Sequence, residues 1–465
     1  MPAEQTYTQV PIELLRKYDR PGPRYTSYPT VPVWSNEIGA EQYVAALQAT
    51  GAKTDLPLAL YCHIPFCRKR CFYCGCNTVI TNNPDRVNKY VADLALEIIN
   101  TSEHLGERRN VSQLHLGGGT PTFVGCRGLE IVLKVIDDRF KFIAGAEKSI
   151  EVDPRVTTDE QLEFLASVGF NRISIGTQDF DPAVQEAIGR IQSYERVQHI
   201  IEKVRTMNFR GINIDLIYGL PLQSVESFKT TLAKSISLRP DRVALYSFAY
   251  LPQNMANQMA IKSADLPTTE VKYQLFATAV EEFTKAGYRQ IGMDHFALPD
   301  DELALAQKDG RLHRNFMGYT VQTAPEMIGF GMSAIGYVND SFFQNYSKLD
   351  SYETAIREKR FAIYRGMNLT QDDLIRQYVI SQLMCNFRLH YQAIEKLFAV
   401  KYDEYFRNEH EGLNIFLEDN LMTSDETGLQ ITPVGRTFVR NIAMTFDAYL
   451  DSNGESKGVR FSRTI

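Results

Sequence analysis

Residues 58–76 read LALYCHIPFCRKRCFYCGC, so a short apolar run leads directly into a cluster of cysteines. The run 58–64 has the length and character of a buried β-strand. Five of the seven cysteines lie within the 15 residues that end at Cys76. An odd number of cysteines in a chain this long does not fit a disulfide framework, whereas such clustering indicates metal binding or redox chemistry. The cysteines are Cys62, Cys67, Cys71, Cys74, Cys76, Cys126 and Cys385.

Short runs of this kind recur along the chain, with longer segments of helical period between them. In the segment 194–209, for example, Val197, Ile200, Ile201, Val204 and Met207 form an apolar stripe at helical spacing. This alternation predicts βα units and a parallel sheet. The predicted strands are 58–64, 111–116, 148–152, 172–176, 211–218 and 242–248.

Six strands within about 190 residues favour a partial (β/α)6 barrel over a complete eight-stranded one. A seventh run at 289–295 is expected to extend the sheet. Loops that follow parallel strands gather at the C-terminal edge of the sheet, where α/β proteins bind ligands. The cysteine cluster follows the first strand, so its position and its chemistry both indicate a site at this edge.

The regions on either side of the barrel differ from it. Residues 1–57 are rich in turn residues and are predicted to form an extended N-terminal arm. Residues 58–360 are assigned to the barrel and its extension, and residues 361–465 to a mostly helical C-terminal domain. The C-terminal elements are predicted as helices at 371–389, 391–405 and 433–450, and a hairpin pairing 421–424 with 429–432.

Helices with a two-stranded wing resemble a winged-helix module. The net charge of −6 argues against a general nucleic-acid partner, since that requires a basic surface. We therefore favour a lid or substrate-facing role for this domain, with DNA binding as the alternative.

No stretch approaches the ~18 consecutive apolar residues of a membrane span, and the N-terminus lacks the features of a secretory signal. The chain is expected in the cytoplasm, with neither a nucleic acid nor a membrane as partner.

The cysteines between residues 67 and 76 have the spacing C-x3-C-x2-C-x-C. Cysteine thiolates are the usual ligands of iron–sulfur clusters. Zinc is the alternative, but closed zinc sites usually show two separated cysteine pairs, or cysteine with histidine at finger spacing, and no second pair occurs later in the chain. The spacing C-x3-C-x2-C resembles the signature of radical S-adenosylmethionine (SAM) enzymes.

This resemblance implies that Cys67, Cys71 and Cys74 bind one [4Fe-4S] cluster. Three ligands on four irons leave one iron open to a cosubstrate, as in catalytic metal sites. In this superfamily SAM chelates the open iron, and its reductive cleavage yields methionine and a 5′-deoxyadenosyl radical that abstracts hydrogen from an unactivated C–H bond. The cofactors carry this chemistry, while the protein supplies orientation and shielding.

Longer motifs resemble one family of the superfamily, the oxygen-independent coproporphyrinogen III oxidases. The family reaction converts coproporphyrinogen III to protoporphyrinogen IX in haem biosynthesis. The radical removes a β-hydrogen from each of two propionates, and loss of CO2 and one electron then leaves a vinyl group. The matching stretches are 17–30, 61–67, 115–122, 149–155, 215–221, 292–296, 313–316, 385–389 and 461–465.

The resemblance also assigns the cofactor-binding residues, and it implies two SAM molecules in one site. The residues implied for the first SAM are Tyr61, Gly118, Glu151 and Ile335. Those implied for the second SAM are Gly119, Thr120, Gln178, Arg190, Asp215 and Ala249. Tyr73, inside the cysteine stretch, is assigned to the cofactor site as a whole.

Several of these residues have simpler explanations that the sequence leaves open. Tyr61 could be a core aromatic residue and Glu151 could be a surface carboxylate. Arg190 could interact favourably with the dipole of a helix at whose end it lies. Met317 stands where many relatives carry glutamine, which removes support for a side-chain contact with the second SAM at that position.

Three further residues are candidates for the reaction and its substrate. Cys76 matches a family cysteine that does not usually bind the cluster, and it is assigned a possible catalytic role. Because the substrate carries four carboxylates, Arg20 and Arg24 of the arm are predicted to bind it. The arm and the C-terminal domain are expected to close over the barrel and exclude water and O2.

Two rival functions remain at this stage. Haem-binding chaperones related to this family share the barrel motifs, but they typically lack the cysteine at the position of Cys76 and the arm motif, and this chain has both. A radical SAM enzyme acting on a different tetrapyrrole would also fit the motifs. The chain is expected to be a monomer served by an unidentified electron donor and an unidentified acceptor.

Overall fold

The computed structural model describes residues 10–321, 324–450 and 461–464. Its central feature is one open sheet of 12 strands. In chain order these are β1 (Leu58–Ile64), β2 (Asn110–Gly118), β3 (Lys141–Val152), β4 (Arg172–Gln178), β5 (Gly211–Tyr218), β6 (Arg242–Ser247), β7 (Arg289–Ile291), β8 (His295–Ala297), β9 (Glu326–Phe330), β10 (Ile335–Val338), β11 (Ser341–Asn345) and β12 (Ile363–Asn368). Across the sheet they lie in the order β12-β11-β10-β9-β1-β2-β3-β4-β5-β6-β8-β7.

Strands β1 to β6 are neighbours in chain order and pair in parallel, and β9 adds a seventh parallel strand beside β1. A helix follows each of the six strands, and the apolar faces of helices and sheet form the largest hydrophobic core. Because the sheet ends at β12 and β7 without closing, the predicted partial (β/α)6 barrel is confirmed. The barrel helices are Pro84–Glu103, Gly125–Arg139, Asp159–Ser167, Pro182–Ala187, Tyr194–Arg205, Val225–Ser237 and Thr269–Lys285.

Local sequence determines where these helices begin. Before the first of them, the Asn83 side chain accepts a hydrogen bond from the Asp85 backbone N–H at 2.9 Å, and Pro84 needs no partner because it has no N–H. Ser193 caps the helix Tyr194–Arg205 in the same way. The first four residues of the predicted apolar stripe, Val197 to Val204, are fully buried in the barrel core, but the helix ends at Arg205, so Met207 lies beyond it and is half-buried.

The run at 289–295 extends the sheet, but as two strands rather than one. Strands β7 and β8 form an antiparallel hairpin, and β8 pairs antiparallel with β6. The chain reverses within this run at Gly292, whose φ of +52° lies in the left-handed region that glycine adopts without strain. Alternation of apolar residues alone could not show this reversal.

The N-terminal arm is not extended over its whole length. It contains the helices Ile12–Tyr18 and Ala40–Gly51, and residues 1–9 lie outside the described part of the chain. The arm packs against the C-terminal domain, because Arg440 Nε donates to the Pro23 carbonyl at 3.0 Å and Asn441 Nδ2 donates to the Tyr18 carbonyl at 2.8 Å. The arm therefore lies between the barrel and the C-terminal domain.

The C-terminal region is mostly helical, as predicted, and its hairpin pairs Met422–Asp425 with Gly428–Ile431. The third strand of this small sheet, Arg388–His390, was not predicted. The predicted helix 391–405 breaks at Ala399, whose φ is +57°. The predicted helix 433–450 is shortened to a 3-10 turn and one short helix. The C-terminal helical elements are Gln371–Asn386, Tyr391–Phe398, Tyr402–Tyr405, Arg407–Glu418, the 3-10 turn Gly435–Phe438 and Val439–Met444.

The predicted boundary at residue 361 falls within the central sheet, because β12 pairs with β11 as an edge strand. The domain division at that residue stays a prediction. The remaining elements are the helices Glu302–Asp309 and Leu349–Arg357 and the paired strands Phe66–Cys67 with Val79–Ile80 and His313–Asn315 with Gly318–Thr320. Among the described residues, no helix combines the length and apolar character needed to cross a membrane.

Candidate functional site

The cysteine loop leaves the C-terminal end of β1 and is closed at its base by a short parallel pair of strands. The Val79 N–H donates to the Pro65 carbonyl at 2.8 Å, and the Thr81 N–H donates to the Cys67 carbonyl at 3.3 Å. Because its ends are pinned, the loop presents its cysteines at a fixed place above the barrel, on the edge where the sequence predicted a site.

Most of the predicted site residues line one cavity of about 510 Å³ at this edge. The volume is of the size that small-molecule and cofactor sites have. Strands β1 to β6 contribute the residues through the loops at their C-terminal ends. The predicted residues in the lining are Arg24, Cys67, Cys71, Tyr73, Cys74, Cys76, Gly118, Gly119, Thr120, Glu151, Gln178, Arg190, Asp215 and Ala249.

The three cysteines predicted to bind an iron–sulfur cluster line this cavity together, and cysteine thiolates are the usual ligands of such clusters. Among the described residues, no group of three or more cysteine, histidine or acidic side chains is arranged to hold a single metal ion. Cys67 Sγ lies 3.5 Å from Thr120 Oγ1, while Cys71 Sγ lies 3.5 Å from Arg155 Nη2 and 3.7 Å from Arg190 Nη1. Cationic N–H donors aimed at a sulfur stabilise the thiolate form, which is the form that binds iron.

Asp153 holds the two guanidiniums beside Cys71. Its Oδ2 lies 2.6 Å from Arg155 Nη2 and 3.1 Å from Arg190 Nη1. Burial would raise the pKa of Asp153, but the two guanidiniums hold it below its usual value. Arg190 Nη2 also donates to the Gly176 carbonyl at 2.5 Å, and its Nε is buried with no hydrogen-bond partner among the described residues. Arg190 is therefore fixed by β3 and β4, and it does not bond to a helix end.

The glycine stretch after β2 lets backbone approach the cavity closely. Gly118 has a φ of +119°, and its N–H donates to Glu151 Oε2 at 3.2 Å. A Cβ at Gly119 would lie 2.5 Å from the Pro65 carbonyl oxygen, so no larger residue fits without movement. The bare backbone leaves room for a ligand and offers it N–H and C=O groups.

Two carboxylates, Glu151 near the end of β3 and Asp215 within β5, line the same cavity. His115 Nε2 lies 3.4 Å from Glu151 Oε1, and this contact lowers the pKa of Glu151 although burial would raise it. Asp215 accepts hydrogen bonds from Ser174 Oγ at 3.0 Å and Asn213 Nδ2 at 2.7 Å. Burial, with the nearby Glu151 charge, raises the pKa of Asp215 to about 7. Glu151 thus lines the cavity with its side chain about half exposed, and its role there stays a prediction.

Comparisons with known proteins identify the family. A model described as "Radical SAM superfamily" matches residues 61–234, and one described as "HemN C-terminal domain" matches residues 369–438. The chain is 43% identical to the oxygen-independent coproporphyrinogen III oxidase of Escherichia coli (strain K12) over 98% of both chains. The chain belongs to the oxygen-independent coproporphyrinogen III oxidase family.

Other similar proteins carry the same enzyme name. The oxidase of the same name from Pseudomonas aeruginosa is 43% identical, and the two are matched over 97% of this chain and 98% of the relative. The solved structure titled "Coproporphyrinogen III oxidase (HemN) from Escherichia coli is a Radical SAM enzyme" matches with a TM-score of 0.91 and 41% identity, covering 96% of this chain and 100% of that chain. Membership of the radical SAM superfamily implies one [4Fe-4S] cluster and SAM as cofactors.

Three residues assigned from the oxidase family lie outside the lining of the 510 Å³ cavity. Tyr61 stacks on His115 with ring centroids 5.9 Å apart, and its hydroxyl lies 2.9 Å from His63 Nδ1. Ile335 packs among aromatic residues of the arm and β11, and Arg20 is exposed. Their functional roles stay predictions. Among the other cysteines, Cys62 is buried in the barrel core, Cys385 is buried in a smaller apolar cluster with Leu312 and Tyr319, and Cys126 is partly buried.

Met317 lines a smaller inner cavity of about 130 Å³, next to the cofactor cavity of the oxidase. The two cavities share Glu151, Asp215 and Tyr246. Met317 therefore lies close to Asp215, and its thioether is at most a weak hydrogen-bond acceptor there.

The main site residue that sequence reasoning missed is Asn257. Its Nδ2 donates to the carbonyls of Cys71, Phe72 and Cys74 at 3.2, 2.9 and 3.0 Å. Asn257 lies in the 3-10 turn Ala256–Ala260, which follows β6, and its side-chain amide thereby bonds to three carbonyls of the cysteine loop. Nothing in the sequence near Asn257 indicates this role, because more than 180 residues separate it from the loop. Asp153, in contrast, could have been found from the sequence, because it directly follows a predicted strand at the edge where the site was predicted.

We expect Asn257→Asp to loosen the cluster site. The substitution places a carboxylate against three carbonyl oxygens and removes the only donor group of the side chain. Losing these bonds should speed iron release to a chelator about tenfold in the reconstituted protein. Asn254→Asp, an exposed position in the same loop, is the control. Equal iron release from the two variants would show that Asn257 does not hold the loop.

Proposed function

We propose that this chain converts coproporphyrinogen III to protoporphyrinogen IX by oxidative decarboxylation of two propionates in porphyrin biosynthesis. The observation that carries the proposal is the convergence of the three C-x3-C-x2-C cysteines and the predicted SAM residues on one cavity. Full-length similarity to oxygen-independent coproporphyrinogen III oxidases supports the substrate. The chain is a radical SAM oxidoreductase.

In this proposal Cys67, Cys71 and Cys74 bind the [4Fe-4S] cluster. When bound, the reduced cluster and SAM supply a 5′-deoxyadenosyl radical that removes a β-hydrogen from a propionate, which then loses CO2 and one electron to become a vinyl group. The chain holds the thiolates in place through Asn257 and offers Cys71 the cationic N–H groups of Arg155 and Arg190. These contacts place two cationic groups beside the sulfur of Cys71.

The remaining cavity residues orient SAM. Gly118 and Glu151 present a backbone approach and a carboxylate where the amino group and ribose hydroxyls of the first SAM would lie. We also propose that a second SAM binds beside it. Its carboxylate would share the Arg190 guanidinium with Asp153, since a guanidinium has five donors. The residues proposed for the second SAM are Gly119, Thr120, Gln178, Arg190, Asp215 and Ala249.

We expect reconstituted protein to bind two molecules of SAM, with the affinity of the second rising as the pH increases through about 7. Asp215 is neutral below its raised pKa and anionic above it, so its attraction for the cationic cosubstrate appears only at higher pH. The gain between pH 6 and pH 8 should be about tenfold. Equilibrium dialysis with labelled SAM measures both quantities. Asp215→Asn should remove the pH dependence, and a pH dependence that survives would contradict the assignment.

Arg24 and Cys76 are proposed to meet the substrate. Cys76 is exposed at the rim of the cavity, and Arg24 reaches the cavity from the arm, where its Nη2 donates to the Ser247 carbonyl at 2.7 Å. The arm would thus help to cover the site and exclude water from the radical. A monomer in the cytoplasm, with an external electron donor and acceptor, stays the prediction from the sequence.

An anaerobic turnover assay tests the function. Reconstituted, dithionite-reduced protein receives SAM and coproporphyrinogen III, and protoporphyrin fluorescence is read after oxidation. We expect two 5′-deoxyadenosines for each protoporphyrinogen formed, one for each propionate. SAM cleavage without this product would indicate another tetrapyrrole as substrate. Cluster-loaded protein that neither cleaves SAM nor forms product would favour the related haem chaperone.

A further inference from the structure

A second cavity of about 40 Å³ lies beside the cofactor cavity and is rich in positive charge. It is enclosed by the ends of β5 and β6, the barrel helix Thr269–Lys285 and the C-terminal domain. Four cationic side chains line it: Arg24, Lys272, Arg436 and Arg440. We call this cavity the cationic side pocket.

None of these four cations forms an ion pair with a described residue. Arg440 is 4% exposed and donates to the backbone carbonyls of Gly22, Pro23 and Arg463. Lys272 Nζ donates to the Phe248 carbonyl at 3.2 Å. Arg436 Nε is buried without a hydrogen-bond partner among the described residues. Buried cations that are satisfied only by carbonyls are costly unless an anion joins them.

The acids near the pocket are already engaged elsewhere. Asp294, the acidic residue of the lining, lies 2.8 Å from His295 Nδ1 and 3.6 Å from Arg314 Nη2. Asp19 lies 2.6 Å from Arg463 Nε. Burial and the repulsion among Arg24, Lys272 and Arg440 lower the pKa of Lys272 to about 8. Burial and repulsion from Arg24 lower the pKa of Arg440 to about 9. The described residues therefore leave a net positive charge that an anion would neutralise.

The pocket adjoins the place where substrate would bind. Arg24 and Ser247 line both the pocket and the 510 Å³ cavity, so the two cavities are immediate neighbours. A cavity of about 40 Å³ has room for a small polar group such as a carboxylate.

We propose that the cationic side pocket binds one propionate carboxylate of the porphyrinogen substrate, different from the propionate that is reacting. The inference rests on the proposed function, since it assigns a specificity site to that reaction. Guanidinium groups pair with carboxylates through short charge-assisted hydrogen bonds, and Lys272 adds a point charge. Anchoring one propionate here would turn another toward the cofactors and would reject tetrapyrroles that lack a carboxylate at this position.

Lys272→Met tests the pocket because it removes one charge at similar volume. We expect the KM for coproporphyrinogen III and the Kd for coproporphyrin III, measured by fluorescence, to rise about 10- to 100-fold. The kcat at saturating substrate, and 5′-deoxyadenosine formation without substrate, should stay within about twofold. Arg436→Gln should show the same pattern. Lys285→Met, at the exposed end of the same helix, should change none of these values.

The readouts separate a structural role from a binding role. Since methionine relieves repulsion among buried cations, Lys272→Met should keep or raise thermal stability while substrate affinity falls. Unchanged KM and Kd values in both pocket variants would overturn the inference and leave the proposed function standing. A wild-type protein that forms no protoporphyrinogen would overturn the proposed function, and the inference with it.

Discussion

Cys71→Ser is expected to abolish both the iron–sulfur absorption of the reconstituted protein and the cleavage of SAM, a loss of at least about 10³-fold. A serine hydroxyl is a hard, weakly acidic ligand that does not replace a thiolate on iron. At this position it would also leave the Arg155 and Arg190 guanidiniums, which face Cys71 Sγ, without their sulfur partner. Iron content, the electron paramagnetic resonance of the reduced cluster and 5′-deoxyadenosine formation measure the effect.

Cys126→Ser is the matched control for this prediction. Cys126 lies at the start of the helix Gly125–Arg139 and does not line the cavity, so the same substitution there should keep four irons and full SAM cleavage. A Cys71→Ser protein that retained its cluster and cleaved SAM would show that another residue is the ligand, and the assignment of Cys67, Cys71 and Cys74 would fall.

Asp153→Asn is expected to reduce the free energy of unfolding of the cluster-free protein by about 3 kcal/mol, since it removes the anion from a largely buried group of two guanidiniums and one carboxylate. An asparagine of the same size would turn its NH2 group or a neutral oxygen toward charges that were paired. Arg190, whose side chain is 7% exposed, cannot reach water to compensate. Urea unfolding followed by circular dichroism measures the difference.

The pH dependence of this difference has a definite sign. The native pKa of Asp153 is lowered, so its contribution is fully present above the unfolded value of about 4 and is lost as the pH falls through the native value. Asp159→Asn is the control, because Asp159 pairs with His199 on the surface, where an ion pair contributes little. Equal stabilities of the two variants at pH 7 would contradict the proposed importance of the Asp153 pair.

Closure of the site depends on segments that are far apart in the chain. The arm is held by the C-terminal domain at Tyr18 and Pro23, and its Arg24 reaches the end of β6. The winged-helix-like domain therefore buries part of its surface against the arm and the barrel. This arrangement favours the lid role over DNA binding, because the packed faces are occupied within the chain.

What the sequence determined by itself is local. The strands β1 and β5 begin and end at the predicted residues, since a run of apolar residues bounded by turn residues specifies a buried strand without reference to the rest of the fold. The cysteine spacing likewise carried the resemblance to radical SAM enzymes within one loop. The side of the sheet on which the site lies also followed, because all parallel strands share one C-terminal edge.

Only the tertiary structure decided which distant side chains meet. Asn257 donates hydrogen bonds to the cysteine loop, Asp153 pairs with Arg190, and Lys272 and Arg440 line the same pocket. Neither residue spacing nor hydrophobic period in the sequence marks these combinations. The breaks at Gly292 and Ala399 also needed the structure, since surrounding contacts can select a backbone conformation that local preference does not. Chain topology brings such residues together, so their chemistry becomes visible only once the sheet, the arm and the C-terminal domain are packed.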